Sequence, residues 1–234
     1  GYCGEKGLPI DTWYKRLNFT FNADYKLRSW LTSTSSFLFN GASWKDITNT
    51  TEANYFARML SAPPTQREYN AAGDLLLGTN AGDGNPLYNV GKYFRKNNTD
   101  KVTFGQSLKF DIISGLYLKM NANWMYDEGF YESFNRDYLQ SPGVTNTTRS
   151  SSASFDRTIR QTYNSVLNYS LDFLEKHSVS ALVGGEYYDS YSKGIAASGS
   201  GAATDDFPDL QYTSTKEGLR SIDTYHIRER ILSG

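Results

Sequence analysis

LYLKMNANWMYDE, residues 116–128, alternates between two kinds of side chain. Taken two at a time, Leu116, Leu118, Met120, Ala122, Trp124 and Tyr126 fall on one side. Tyr117, Lys119, Asn121 and Asn123 fall on the other, with Met125 alone out of step before Asp127. A helix brings every third or fourth residue together, so a period of two means a strand with one oily and one wet side. The strand is long, and its rings gather at one end of the oily side. Strands of a soluble sandwich usually run about 5–6 residues and have no reason to collect aromatics at their ends.

The same alternation recurs near 13–25, 29–40, 101–113, 157–172, 177–189 and 221–233, which makes seven strands in all. In 13–25, Trp13, Leu17, Phe19, Phe21, Ala23 and Tyr25 oppose Arg16, Asn18, Thr20, Asn22 and Asp24. In 101–113, Val102, Phe104, Leu108, Phe110 and Ile112 oppose Thr103, Ser107, Lys109 and Asp111. In 157–172, Ile159, Tyr163, Leu167, Tyr169 and Leu171 oppose Arg160, Thr162, Asn164 and Asn168. The segment 29–40 is poorer, with Leu31, Phe37 and Phe39 in phase, and 177–189 keeps Val179, Ala181, Val183 and Tyr187.

The connections alternate between short and long. KLR (26–28), SG (114–115) and DFLEK (172–176) read as hairpin turns, whereas 41–101, 129–156 and 189–220 are long. Structureless loops of that length count against a compact soluble domain. Short turns on one side and long loops on the other suit a barrel that crosses a membrane. Some 10–11 residues tilted near 45° span an apolar band of roughly 25 Å. Rings with an apolar body and a polar tip settle where lipid meets water, which suits Trp13, Tyr25, Trp124, Tyr126 and Tyr187 at the ends of the oily faces. Within the first long loop, NTTEANYFARML (49–60) reads as a short helix capped by Asn49 with Glu52 and stopped by Pro63 and Pro64. NAGDGNPLYN (80–89) reads as a tight turn, and SGSGAATDDFPDL as a flexible stretch leading into an acidic one.

Composition narrows the class further. The formal charge of −1 over 234 residues forces no face to be basic, so nucleic acid is not an expected partner. Aromatic content is high, with 18 Tyr, 13 Phe and 4 Trp, yet the long aliphatic runs of a soluble core are missing. No run of about 18 apolar residues offers a transmembrane helix, a test that transmembrane strands escape. The opening GYCGEKGLPID has no basic-then-apolar start and reads as no signal peptide; Cys3 is the only cysteine.

WYKRLNFTFNADYKLRSWLTSTSSFLFN, SGLYLKMNANWMYDE, LQSPG and HSVSALVGGEYYDSYS with ATDDFPDLQYTS, in that order, resemble the barrel of SusC/RagA-type TonB-dependent outer-membrane receptors. The resemblance runs over nearly the whole chain and rests on the succession of segments rather than on one sharp motif. It implies an all-β fold: an antiparallel transmembrane β-barrel segment, about seven strands of a larger 22-stranded barrel, with long extracellular loops and one short loop helix. It also implies the outer membrane of a Gram-negative bacterium and import of oligosaccharides or peptides. The implied partners are membrane lipid, a SusD-like surface lipoprotein acting as a lid, and the TonB complex, reached through a plug region that these residues lack. On that reading residues 1–234 are a partial barrel domain without plug or C-terminal closing strands. Residues 1–12 would end an extracellular loop, and the chain would transport nothing alone.

Catalytic chemistry finds little purchase, and no cofactor is expected. His177 follows a turn and reads as solvated; His226 reads as a lumen-facing residue of the last strand. Neither has a second His or a Cys at ligand spacing, and Cys3 has no histidine placed to activate it. Asp205, Asp206 and Asp209 are oxygen donors without the spacing of a calcium loop and read as solvated acids; Asp83 reads as a turn former. SGSG (198–201) lacks the following Lys and helix of a phosphate loop. Among the sequons at Asn18, Asn49, Asn97, Asn146 and Asn168, the first and last fall inside strands, against a glycosylation code. Trp44, Tyr69, Tyr88, Tyr93, Phe94, Phe130, Tyr131, Phe134 and Tyr138 sit in the loops, where they read first as packing mass, with sugar contact as the alternative. Substrate-binding residues are not decodable from these loops. The reading from a different class is a soluble secreted β-rich carbohydrate-binding module. A barrel enzyme is a third, with no nucleophile and base to support it.

Overall fold

Two hairpins set the frame, and both turn on two residues beside a bulge. β2 (Trp13–Arg28) meets β3 (Leu31–Lys45) across Ser29 and Trp30, with the register slipping between Lys26 and Arg28. β4 (Tyr93–Ile113) meets β5 (Leu116–Asn135) across Ser114 and Gly115, with a slip between Asp111 and Ile113. The computed structural model describes residues 1–9, 11–46, 60, 64–65, 67–77, 85–89, 91–141, 144–173, 177–216 and 220–234. Its other strands are β1 (Tyr2–Lys6), β6 (Tyr138–Ser141), β7 (Val144–Asn146), β8 (Ser150–Phe173), β9 (His177–Ser200) and β10 (Arg220–Ser233). One eight-stranded sheet runs in the order β1-β2-β3-β4-β5-β8-β9-β10, every neighbouring pair antiparallel, and β6-β7 forms a separate two-stranded hairpin.

Gly115 makes the second turn. Its φ of 79° lies in the left-handed region, and a Cβ there would stand 2.0 Å from the backbone oxygen of Ser170 on β8. Gly115 O in turn accepts the Ser170 N–H at 2.7 Å, so turn and neighbouring strand are locked together. Gly115→Ala is therefore expected to destabilise this end of the sheet by about 2 kcal/mol or more, through backbone strain and a contact that only backbone movement relieves. Loss of amide protection around 111–118 and 168–172 checks it; unchanged protection would refute it.

The strands are longer than the alternation suggests. Residues 41–45, 93–100, 129–135, 150–156 and 189–200 are strand rather than loop, which shortens the three expected long connections to 46–92, 136–149 and 201–219. Their sequences, such as SSSAS and SKGIAASGS, carry no oily stripe, because no face there has to be hidden. What holds them is ladder pairing with neighbours distant in sequence, to which local pattern is blind. Tyr2–Lys6, expected as loop, is a strand on the edge of β2, with Tyr2 opposite Leu17 and Lys6 opposite Trp13, so the sheet has eight strands and not seven. KLR belongs to β2, the turn lying just beyond it. The expected helix 49–60 lies outside the described residues save Leu60, and so does Asp83.

The turns all lie at one end, and they are staggered. Leu31 pairs with Phe110, yet β4 runs three residues further before turning; Leu116 pairs with Tyr169, yet β8 runs four further. Each step is about 10–13 Å along the strand over two strand spacings of roughly 4.8 Å. Strands whose turns share a plane must then tilt by roughly 45° or a little more from its normal, the slant of a sheet curling into a barrel.

Almost nothing is buried. Among the described residues the buried hydrophobics are Tyr93, Phe134 and Ala202, while Phe19 is 55% exposed and Val183 70%. A soluble domain packs a second layer on its oily face; among the described residues this sheet has none there.

Candidate functional site

Register converts the alternation into two continuous faces. On the apolar face Phe19 opposes Phe39, Phe37 opposes Phe104, Phe104 opposes Trp124, and Leu118 lies between Phe110 and Leu167. Polar intruders occur within this face and satisfy one another. Ser35 Oγ donates to Gln106 Oε1 at 2.6 Å, and Gln106 Nε2 donates to Ser33 Oγ at 2.8 Å. Internal pairing of this kind removes most of the cost of setting an amide against hydrocarbon.

Aromatic rims bound the face. Toward the turns, Trp30 stacks on Phe110 with centroids 6.2 Å apart. Toward the loops, Trp124 stacks on Tyr126 at 6.1 Å, and Tyr163 of β8 on Tyr187 of β9 at 6.3 Å. The stagger of the strands brings these two loop-side pairs near one level. Sequence reading found Trp124, Tyr126 and Tyr187 but not the Trp30–Phe110 stack, since Trp30 sits in a turn where no alternation marks it.

The opposite face is wet along its length. Asn40 Nδ2 donates to Asn18 Oδ1 at 2.7 Å, Asn121 Nδ2 to Asn164 Oδ1 at 2.6 Å, and Lys109 pairs with Asp111 at 2.8 Å. Toward the loops, Thr158 and Ser192 bond at 2.8 Å, and Ser133 and Ser152 at 2.6 Å. Tyr14 and Trp44 lie 6.4 Å apart on this face. Arg95 Nε and Asn135 Oδ1, also on it, are buried without a hydrogen-bond partner in the protein. Asn18 and Asn168 are within strands, as the spacing suggests. His177 is exposed at the start of β9. His226 departs from expectation: it pairs with Lys193 and stacks on Tyr191 at 6.4 Å, which puts it on the same side as Tyr187 and Leu232, not on the wet side. The frame of the last strand could not be set from its own sequence, which alternates weakly; only pairing with β9 fixes it.

Beyond the loop-side rim, the acidic stretch is a strut. Asp205 forms an ion pair with Arg149 Nε and lies 3.4 Å from the Asp137 N–H, and Asp137 pairs with Lys92 at 2.7 Å. Ser151, buried on β8, donates to Pro208 O at 2.8 Å, and Thr213 sits against Gly199, where a Cβ would come within 2.3 Å of its hydroxyl. Arg220 completes the knot, donating to Gln211 O at 2.9 Å and Thr213 O at 2.7 Å around a short 3-10 turn at Leu210–Tyr212. Asp206 and Asp209 stay exposed. Among the described residues no three His, Cys, Asp or Glu side chains converge as a metal site would require.

Burial pushes the Asp205 carboxyl up, but Arg149 and the Asp137 N–H pull harder, and the net direction is down. A carboxylate depressed in the folded state stabilises above its unfolded value, about 3.9, and loses that contribution as pH falls through the folded value. The 201–214 segment is thus expected to loosen below about pH 4, read as faster hydrogen exchange, and Arg149→Met should weaken that pH dependence, leaving Asp137 alone to oppose burial. A segment equally protected at pH 3 and pH 7 would contradict this.

Another knot escaped the sequence reading. Asn85 is fully buried, its amide donating to Glu68 O at 2.9 Å and Leu76 O at 2.7 Å while its oxygen accepts the Leu87 N–H at 3.1 Å. The Asn-Pro pair marked a turn; nothing local marked its distant partners. Of the aromatics expected in loops, Tyr93 at the start of β4 is buried and packs tilted against Tyr138 at 5.3 Å, and Phe134 of β5 is 1% exposed, so these act as packing mass.

Comparison with known proteins follows this geometry. No family model and no curated protein matches the sequence. Solved structures do. The chain superposes on one of the RagAB peptide transporter with TM-score 0.78 at 17% identity, over 99% of its own length and 26% of that chain. It superposes on the RagAB peptide importer in its open-open state with TM-score 0.76 at 18% identity, over 94% of its own length. For the closed-closed state the TM-score is 0.74 at 17% identity. The chain spans about a quarter of the length of these proteins. Its fold is that of a β-barrel segment of the RagA type, as the succession of strands and loops led one to expect.

Proposed function

We propose that this chain forms part of the wall of an outer-membrane nutrient importer. The observation that carries it is the one-sided sheet: an apolar band rimmed by stacked rings, with no protein layer against it, on strands slanted as in a barrel. Hydrocarbon is the solvent that suits such a face, and the rims fit the two boundaries where lipid meets water. The likeness to chains of a peptide transporter supports import as the activity. The remaining strands and a plug would come from sequence outside these 234 residues.

On this reading the wet face lines the lumen. Its Asn, Ser and Thr ladders are bonded to one another, which offers passing cargo a hydrated wall rather than tight binding groups. The loop-side extension, stiffened by the Asp205–Arg149 strut, would carry a SusD-like lipoprotein, a partner suggested by the paired name of the similar importer. Energy would enter through TonB acting on the plug. Cargo is a peptide or an oligosaccharide. A soluble carbohydrate-binding module fits less well, because it would have to leave Phe19, Phe21, Leu167 and Val183 in water.

Growth tests the proposal. A host lacking this protein is expected to lose growth on peptides or on oligosaccharides as sole nutrient, and to regain it with the wild-type sequence. Growth and uptake unchanged on both would refute import.

A further inference from the structure

A band of charge lies just past the loop-side rim, on the apolar side of the sheet. The rungs above the Tyr163–Tyr187 pair read Gln161–Asp189–Arg230, then Ile159–Tyr191–Arg228, then Arg157–Lys193–His226. All share the side of Tyr187 and Leu232, so none faces the lumen. Because Leu232 already pairs with Tyr187, nearly all of β10 rises above the rim. Its side chains here are accordingly charged where those of β5 and β8 below are oily. From the stagger, the patch covers about 5–15 Å above the rim, the depth of a headgroup layer.

Four cations, Arg157, Lys193, Arg228 and Arg230, share this side with three carboxylates: Asp189, Glu128 on β5 opposite Arg157, and Asp100 on β4 opposite Glu128. Asp189 accepts from Arg228 Nη2 at 2.7 Å and lies 3.6 Å from Arg230, yet the two arginines keep about half their side-chain surface in solvent, 51% and 55%. One carboxylate thus holds two guanidinium groups upright without neutralising both. Glu128 is engaged by the Tyr126 hydroxyl. Half-exposed guanidinium groups, an excess of one positive charge and the tyrosine rim beneath suit an anion with an acyl tail.

We propose that this patch binds the phosphate-bearing headgroup of an anionic lipid in the leaflet on the loop side, with Asp189 competing for Arg228 and Arg230. The proposal rests on the membrane reading of the apolar face. The headgroup phosphate takes charge-assisted hydrogen bonds from the guanidinium forks, while its chains lie against Tyr163, Tyr187 and Leu232.

The test uses the protein purified from membranes and placed in nanodiscs of phosphatidylcholine mixed with phosphatidic acid. Lipid retained by the protein is read by native mass spectrometry. Phosphatidic acid is expected to be enriched over its share of the disc. Arg157→Gln with Lys193→Gln should cut that enrichment about twenty-five-fold, near five-fold for each charge, and added salt should weaken it. Asp189→Asn should raise it, because it removes a competing carboxylate; if the pair were only a structural tie, the same change would lower it. Retention of the two lipids in proportion to the disc overturns the proposal, as does equal occupancy by soluble glycerol phosphate. Quenching of tryptophan fluorescence by bromine-labelled acyl chains, reduced in Trp124→Phe, tests the membrane reading separately. Quenching without enrichment sinks the lipid site alone, and no quenching sinks both.

Discussion

Leu118→Arg, between the turn-side rim and the midplane, is expected to cost about 1–2 kcal/mol of folding free energy in a bilayer, whereas Asn121→Arg, three residues along the same strand, should change little. The two positions differ in which face they occupy. Leu118 lies between Phe110 and Leu167 on the apolar side. Asn121 bonds Asn164 on the wet side, and an arginine there replaces one polar lumen group with another. Neither position is deeply buried, so a protein-packing explanation would predict modest and similar effects. Equilibrium unfolding from phospholipid vesicles in urea measures the difference. Equal tolerance at 118 and 121 would remove lipid from the apolar face, and the importer proposal would go with it. If both variants failed to fold, Leu118→Met, which stays apolar, should still insert as the wild type does.

Phe134→Ala should be the most damaging substitution above the rim, at about 3–5 kcal/mol of local stability. Phe134 is 1% exposed in a protein where nearly every other ring is at least partly open, and its cross-strand neighbours are Phe94 and Ser151. Ser151 is also the residue that holds Pro208. A cavity at 134 would therefore loosen the seat of the 201–214 segment as well as the strand pair. Faster proteolysis within 201–216, with the turn-side hairpins still protected, is the expected pattern. Protection of 201–216 at the wild-type level would show that the segment is held by its ion pair and Arg220 alone. Phe134→Leu, which restores most of the volume, should recover most of the loss.

The two predictions probe different sources of order, and this division shows in what could be read beforehand. Below the rim each strand has one face against a uniform apolar surrounding. Side-chain type must then alternate, and 116–128 declares both strand and facing. The turns at 114–115 and near 29 follow from where that alternation stops. Above the rim neither face is obliged to be oily. There the sequence turns to Ser, Gly, Ala and charge, so strands were read as loops and Tyr2–Lys6 as a tail. The candidate surfaces divide likewise. The apolar face, its rim tyrosines and the wet asparagines were legible, whereas the sides taken by His226 and the charged residues of β10 were not.

By itself the sequence determined period, facing and the end at which the chain turns back, because those are local consequences of which solvent touches each side chain. Only the tertiary structure decided the register, the stagger, the eighth strand, the Asn85 and Arg220 knots and the duty of Asp205 as a strut. Each of these depends on hydrogen bonds or charges brought together from distant parts of the chain, and no residue's own neighbourhood records which partner it will meet.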